Sequence, residues 1–372
     1  MARAPQHIEI DELPEADRLE GFPHPRHARA LFGHDTVEEM LREAVAGGRM
    51  HHGWLITGPQ GIGKATLAYR LARFLVAKPD ERAAAPGLAI ADETTASRQV
   101  RALSHPGLLV LRRPYNLKDK RFPTTIPIDE VRRLRGFLSH SAGEGAWRVV
   151  IVDTADEFNV NAANALLKSL EEPPPRTVFL LISSEPGRLL ATIRSRCRML
   201  ELAPLDRESL RRAVRQALAG SETGEPDPSD WPTLERLAQG SVRRVLALQA
   251  AGGLDLYARV LKLVSALPAV DWGAVHALGD ELGGNAAEQR FELFFELVLD
   301  LIARLVRAAA TGEGPGDEVA LAARVIGPVR LATFAELWER VARAKADAIA
   351  LNLDRKALIL DMVRELEAAA RS

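Results

Sequence analysis

Short unbroken apolar runs alternate with helical patterns through the first half of the chain. GWLIT at 53–57, LLVL at 108–111, VVIV at 149–152 and VFLLI at 178–182 each read as a buried strand. Between them Leu67, Ala68, Leu71 and Leu75 recur at helical spacing, and 129–138 and 160–170 carry the same period. A strand apolar at every position has both faces covered, as parallel strands under helices do. Right-handed crossovers then build a doubly wound α/β layer. Upstream, 25–46 reads as one helix that includes Gly33, while 1–24 is polar, proline-bearing and aperiodic, the pattern of an extended leader.

Past Leu202 the strand-like runs stop and every period is helical. Patterns at 208–219, 234–239 and 242–250 form a small group, interrupted by the loop SETGEPDPSDWP at 221–232. From 254 longer helices follow. Phe291, Phe294, Phe295, Val298, Ile302 and Leu305 share one apolar stripe, TGEGPG at 311–316 is a connector, and a last helical pair spans 332–370. The expected organisation is a leader (1–24), a parallel-sheet α/β domain (25–202), a small helical domain (203–253) and an all-helical domain (254–372).

Composition adds mainly exclusions. With 372 residues, 47% hydrophobic and 27% charged, the chain is long and apolar enough for folded domains. No run approaches the roughly 20 apolar residues of a membrane span. No export signal is legible, so the cytoplasm is the expected compartment. A net charge of −1 gives no global pull toward nucleic acid. Cys197 is the single cysteine, which excludes an intrachain disulfide and a cysteine-built zinc site.

The candidate chemistry starts at GPQGIGK, 58–64, between a predicted strand and a predicted helix. Gly58, Gly61 and Gly63 let the backbone fold into a nest of N–H groups, the helix N-terminus adds a positive dipole end, and Lys64 reaches terminal phosphates. The motif normally continues with Ser or Thr, whose hydroxyl ligates magnesium. Here Ala65 follows, and Thr66 sits about 100° further round the helix. The second motif departs likewise. Asp153, at the end of VVIV, stands where a magnesium-positioning carboxylate is expected, but Thr154 replaces the glutamate that would orient an attacking water. Read on its own, Asp153 is also a plain strand-end cap. The two departures leave room for ATP or ADP, and for magnesium in an impaired geometry, but not for efficient hydrolysis.

Four segments then carry a resemblance: GPQGIGKATLAYRLARF at 58–74, VVIVDTAD at 149–156, NAANALLKSLEEPPPRTVFLLIS at 161–183 and IRSRCRMLEL at 193–202. LFGHDTVEEML at 31–41, GRMHHGWLITGP at 48–59 and LNLDRKALIL at 351–360 extend it over nearly the whole chain. Together they resemble the bacterial clamp-loader subunits of the AAA+ class. The resemblance implies an AAA+ P-loop domain, a helical lid at 203–253 and a C-terminal oligomerisation collar at 254–372. It also implies a subunit of the DNA polymerase III assembly, with gamma/tau and delta subunits, the sliding clamp and primed DNA as partners. Arg196, in Ser195-Arg196-Cys197, matches the arginine finger that reaches a neighbour's ATP; without the resemblance it is one of three arginines in a basic stretch. Ser183 or Ser184 falls at the place of a polar sensor, and Arg243 resembles the second sensor arginine of the lid. Many relatives hold zinc with four cysteines between the first helix and second strand. The stretch 79–105 has none, so no zinc and a looser loop are expected. The implied role is a largely non-hydrolysing stator. The alternatives are an active gamma/tau-like ATPase and an AAA+ binding protein outside replication.

Overall fold

A computed structural model of the protein, which describes residues 13–139, 146–284, 287–351 and 353–371, joins the four apolar runs and one further segment into a single parallel sheet. The strands are β1 (Gly53–Thr57), β2 (Leu108–Leu111), β3 (Arg148–Val152), β4 (Thr177–Ile182) and β5 (Arg198–Glu201), in the order β2-β3-β4-β1-β5. Ahead of β2 the chain forms α1 (Asp35–Ala46), α2 (Lys64–Val76), α3 (Pro79–Ala83) and α4 (Thr95–Arg101). After it come α5 (Ile128–Ser139), α6 (Val160–Glu171) and α7 (Ala191–Arg194). Alternate residues of each strand leave on opposite faces, so the unbroken runs serve two cores. Trp54, Ile56, Ile151 and Leu180 pack with Leu41 of α1, Leu67 and Leu71 of α2 and Val100 of α4. Leu55, Val150, Phe179 and Leu181 pack with Leu134 of α5 and Leu166 and Leu170 of α6.

Three segments differ from the expectation. The helix expected over 25–46 begins at Asp35, because Gly33 takes a φ of +74° and is pressed against Leu205 and Ser209; before it lies only a short 3-10 turn, Pro25–His27. The stretch expected as a looser loop at 79–105 carries α3 and α4, the latter capped by the Thr94 side chain accepting from Ser97 N. β5 follows the Cys197 segment, where no strand was legible.

Residues 13–24 are tied down by buried charge. Arg26 donates to both oxygens of Glu15 at 2.7 Å, Arg112 pairs with Asp17 at 2.7 Å and with Glu15, and His24 meets Asp17 at 2.9 Å. Burial alone would raise the Asp17 carboxyl, but His24 and Arg112 overcome it and hold Asp17 down to about 2. The His24 ring stands edge-on to the fully buried Tyr69 of α2, centroids 5.4 Å apart.

Three further helices follow the sheet: α8 (Arg207–Leu218), α9 (Trp231–Ala238) and α10 (Val242–Ala250). The chain divides into two compact units, Met1–Leu246 and Ala247–Ser372. The second holds α11 (Gly253–Ala266), α12 (Trp272–Leu282), α13 (Glu288–Thr311), α14 (Gly316–Val325), α15 (Leu331–Leu351) and α16 (Arg355–Arg371). The predicted stripe on α13 is its core: Phe291, Phe294, Phe295, Val298, Ile302 and Leu305 are all buried. One ion pair crosses this core. Arg304 on α13 donates to Glu318 on α14 at 3.1 Å and to the Tyr257 hydroxyl on α11 at 3.2 Å, and Glu318 is only 3% exposed. No helix among the described residues is long and apolar enough to cross a membrane.

Candidate nucleotide and arginine-finger sites

The phosphate loop runs from the C-terminal end of β1 into α2. Gly58, Gly61 and Gly63 have φ of +128°, +79° and +107°, which side-chain-bearing residues avoid. A Cβ at Gly61 would collide with the Ser241 hydroxyl and with Arg243 Cβ. The loop is therefore in contact with the N-terminus of α10, where the backbone and Cβ of Arg243 lie beside Gly61. Val242 N donates to Gly61 O at 2.9 Å and Ser241 Oγ to Gln60 O at 2.8 Å. From the other side His34 Nε2 donates to Ile62 O at 2.8 Å, and Leu31 stands against Gly63.

Lys64 is buried and turned onto its own loop. Nζ donates to Gly58 O and Pro59 O, both at 2.6 Å, and to Ser184 Oγ at 2.9 Å. Burial lowers its pKa to about 8, against the pull of Asp153 and Asp156. Asp153 is buried at the end of β3. Burial first, and then the like charge of Asp17, push its carboxyl well above the usual range, with Thr154 Oγ1 and Lys64 opposing. Ala65 and Thr66 are half-buried in the first turn of α2. Lacking a hydroxyl, Ala65 can give no metal ligand there. The three glycines and Lys64 suit an anion; the carboxylate and hydroxyl expected for magnesium do not suit the metal equally well. Among the described residues no cluster of three or more His, Cys, Asp or Glu is placed to hold a metal ion.

Asp156, rather than Asp153, organises the far wall. It accepts from Ser183 Oγ at 2.5 Å, from Ser184 N at 2.7 Å and from Glu185 N at 3.2 Å. It thus fixes the loop after β4 that carries Ser183 and Ser184 and, through Ser184, one partner of Lys64. The sequence motif contained Asp156 but gave it no role. A carboxylate four places past the strand end, facing a Ser-Ser pair, is a signal visible only once β3 and β4 are known to be neighbours. His34 was missed for a similar reason, since its partner is a backbone carbonyl 28 positions away.

Arg196 lies elsewhere. It sits between α7 and β5, and its carbonyl faces the start of β1, where a Cβ on Gly53 would be 3.2 Å away. The phosphate loop leaves the other end of β1. Five residues at about 3.3 Å each put roughly 16 Å of strand between the two. The guanidinium is partly exposed, with Nη1 on Thr192 O at 3.0 Å and Nη2 on Glu171 Oε1, at the end of α6, at 2.8 Å. Arg196 is thus remote from this chain's own phosphate loop and partly exposed.

A five-stranded parallel sheet in this order, a glycine-rich phosphate loop after β1 and a helical segment closing on that loop define a P-loop protein of the AAA+ class. Residues 33–206 match the family described as DNA polymerase III, delta subunit. A delta-prime subunit of DNA polymerase III from Pseudomonas aeruginosa is 44% identical over 161 residues, covering 43% of this chain and 46% of the relative. A tau subunit from Escherichia coli is 29% identical over 224 residues, 60% of this chain and 32% of the relative. A gamma-subunit-related crystal structure from Thermotoga maritima aligns with 90% of this chain and 99% of its own at 17% identity, with a TM-score of 0.44. Over residues 33–206, a little under half of its length, the chain is similar to the delta-prime subunits of DNA polymerase III. It spans about half the length of the delta-prime relative it matches.

Proposed function

We propose that the chain acts as the delta-prime subunit of a cytoplasmic DNA polymerase III clamp loader, as a stator that hydrolyses little or no ATP itself. In this reading it assembles with gamma/tau and delta subunits and takes part in placing the sliding clamp on primed DNA. Its helical second unit forms a share of the oligomerisation collar. Arg196 reaches across a subunit boundary to the γ-phosphate of a neighbour's ATP. A planar guanidinium with fixed charge stabilises the negative charge that builds up on the transferring phosphoryl oxygens. Gly58, Gly61, Gly63 and Lys64, with Arg243 beside them, would hold the phosphates of an ATP or ADP bound to this chain, and Ala65, Thr66 and Asp153 offer magnesium a poor set of ligands. The observation that carries the reading is the sheet geometry: Arg196 is at the opposite end of β1 from this chain's phosphate loop, so any phosphate it serves belongs to another subunit.

The test is Arg196→Ala in a complex reconstituted with gamma/tau and delta. Arginine fingers elsewhere contribute about 10³–10⁵ to the rate at the site they serve. Single-turnover hydrolysis at the affected site should fall at least tenfold, with assembly intact by gel filtration. Unchanged hydrolysis would remove the assignment. The presence of Lys64 and Thr66 keeps one second reading, an active gamma/tau-like ATPase. Turnover by the isolated chain at about one per second or faster would favour it.

A further inference from the structure

Helix α6 ends in a way its own electrostatics disfavour. Asn159 caps its start, accepting from Ala162 N at 2.8 Å, and Leu166 and Leu170 bury its inner face. Its last residue and its C-cap are both glutamates, Glu171 and Glu172, and Pro173–Pro175 follow. A helix C-terminus carries partial negative charge, so it favours lysine or arginine and repels carboxylates. A cation from elsewhere in the chain offsets Glu171: Arg196 Nη2 stands 2.8 Å from its Oε1.

As a stabilising contact this pair is weak. The Arg196 and Glu171 side chains keep 36% and 48% of their exposure, and ion pairs open to water contribute little to folding. It is effective at fixing a direction. Arg196 N donates to Ile193 O at 3.1 Å, and Ile193 is fully buried in the same core as Leu166 and Leu170. The guanidinium is then held from two packed helices, by Thr192 O of α7 at 3.0 Å on Nη1 and by Glu171 of α6 on Nη2. The neighbouring arginines are treated differently. Arg198 lies over the Trp54 ring at 5.2 Å, and Arg194 is exposed with no ion pair among the described residues. Of the three arginines in the basic stretch, the one pinned by a carboxylate is Arg196.

We propose that Glu171 is a positioning residue for Arg196, holding the guanidinium in the orientation from which it meets the phosphate of a neighbouring subunit. The inference rests on the role in trans proposed for Arg196 and adds that a second side chain of this chain sets the finger's aim. An unrestrained arginine must lose its rotamer freedom each time it engages; one already held by α6 and α7 has that ordering done beforehand.

The test is single-turnover ATP hydrolysis by a complex reconstituted with gamma/tau and delta. Glu171→Ala should slow the site served by Arg196 by about five- to thirtyfold, with the ATP concentration for half-maximal rate and the gel-filtration profile unchanged. Glu171→Gln keeps the length and the acceptor oxygen, and should stay within about twofold of the native rate. Arg196→Ala should be slower than Glu171→Ala, and the double variant no slower than Arg196→Ala alone, because Glu171 acts only through that arginine. In the isolated chain, ¹⁵N spectra should show hindered rotation of the Arg196 guanidinium that Glu171→Ala releases. A native or faster rate in Glu171→Ala beside an impaired Arg196→Ala would overturn this proposal and leave the finger standing. Additive loss in the double variant, a Gln variant as slow as the Ala variant, or a freely rotating guanidinium in the native chain would each overturn it as well. An unimpaired Arg196→Ala would remove the finger and this proposal together.

Discussion

Lys64→Met keeps the length of the side chain and deletes its charge. In the folded chain burial lowers the ammonium from 10.5 to about 8. At about 1.4 kcal/mol for each factor of ten in a proton equilibrium, the charged folded state is disfavoured by about 3 kcal/mol at pH 7. The folded value lies below the unfolded one. The unfolded chain therefore binds the proton more strongly between about pH 8 and 10.5, and the native protein gains stability as pH rises through that window. Below pH 8 the full cost is present. The methionine variant has no such dependence, and its loss of hydrogen bonds to Gly58 O and Pro59 O is nearly the same at both ends of the window. Its stability relative to the native chain should therefore be about 2–3 kcal/mol more favourable at pH 7 than at pH 10. Guanidinium titrations at the two pH values, followed by circular dichroism, measure that double difference. If the two proteins shift in parallel, Lys64 is not a desolvated cation and the reading that it is buried against its own loop is wrong.

Two further substitutions probe buried charge. The Asp153 carboxyl is held above its ordinary value, so native stability falls as pH rises from about 4 into the neutral range. Asp153→Asn should melt at the same temperature as the native protein near pH 4 and several degrees higher at pH 7.5; equal melting at both would show an ordinary carboxylate. Glu318→Ala leaves Arg304 buried without its counter-ion, at a cost of about 3–5 kcal/mol. Calorimetry should show the second unit destabilised by that amount, and a loss below about 1 kcal/mol would mean that Arg304 finds water.

Four strands and their order of appearance could be read from the sequence because each is apolar at every position, which only a doubly covered parallel sheet requires. β5 was hidden because most of its side chains are exposed. Of Arg198, Met199, Leu200 and Glu201 only Leu200 is buried, so the segment has no apolar run to read. The helices α3 and α4 escaped notice because five and seven residues are too few to establish a period. The phosphate loop was legible from its glycines and its place between strand and helix. Its contact with α10 was not, since the groups that make it, Ser241 and Val242, are some 180 positions away and act partly through backbone. The placement of Arg196 at the far end of β1 depends on β5 pairing beside β1, a long-range fact that no local pattern carries.

The charged tether at the start of the first unit bears on how this protein can be shortened. Cutting the chain just before the Pro25–His27 turn would look harmless by sequence, since the segment carries no regular period. It would strip Arg26 and Arg112 of Glu15 and Asp17, and leave the aromatic ring behind the phosphate loop without His24 to cover it. Both guanidiniums would lose their counter-ions together with the cover that the segment provides, so any truncated version meant for assembly work should keep residues 13–24.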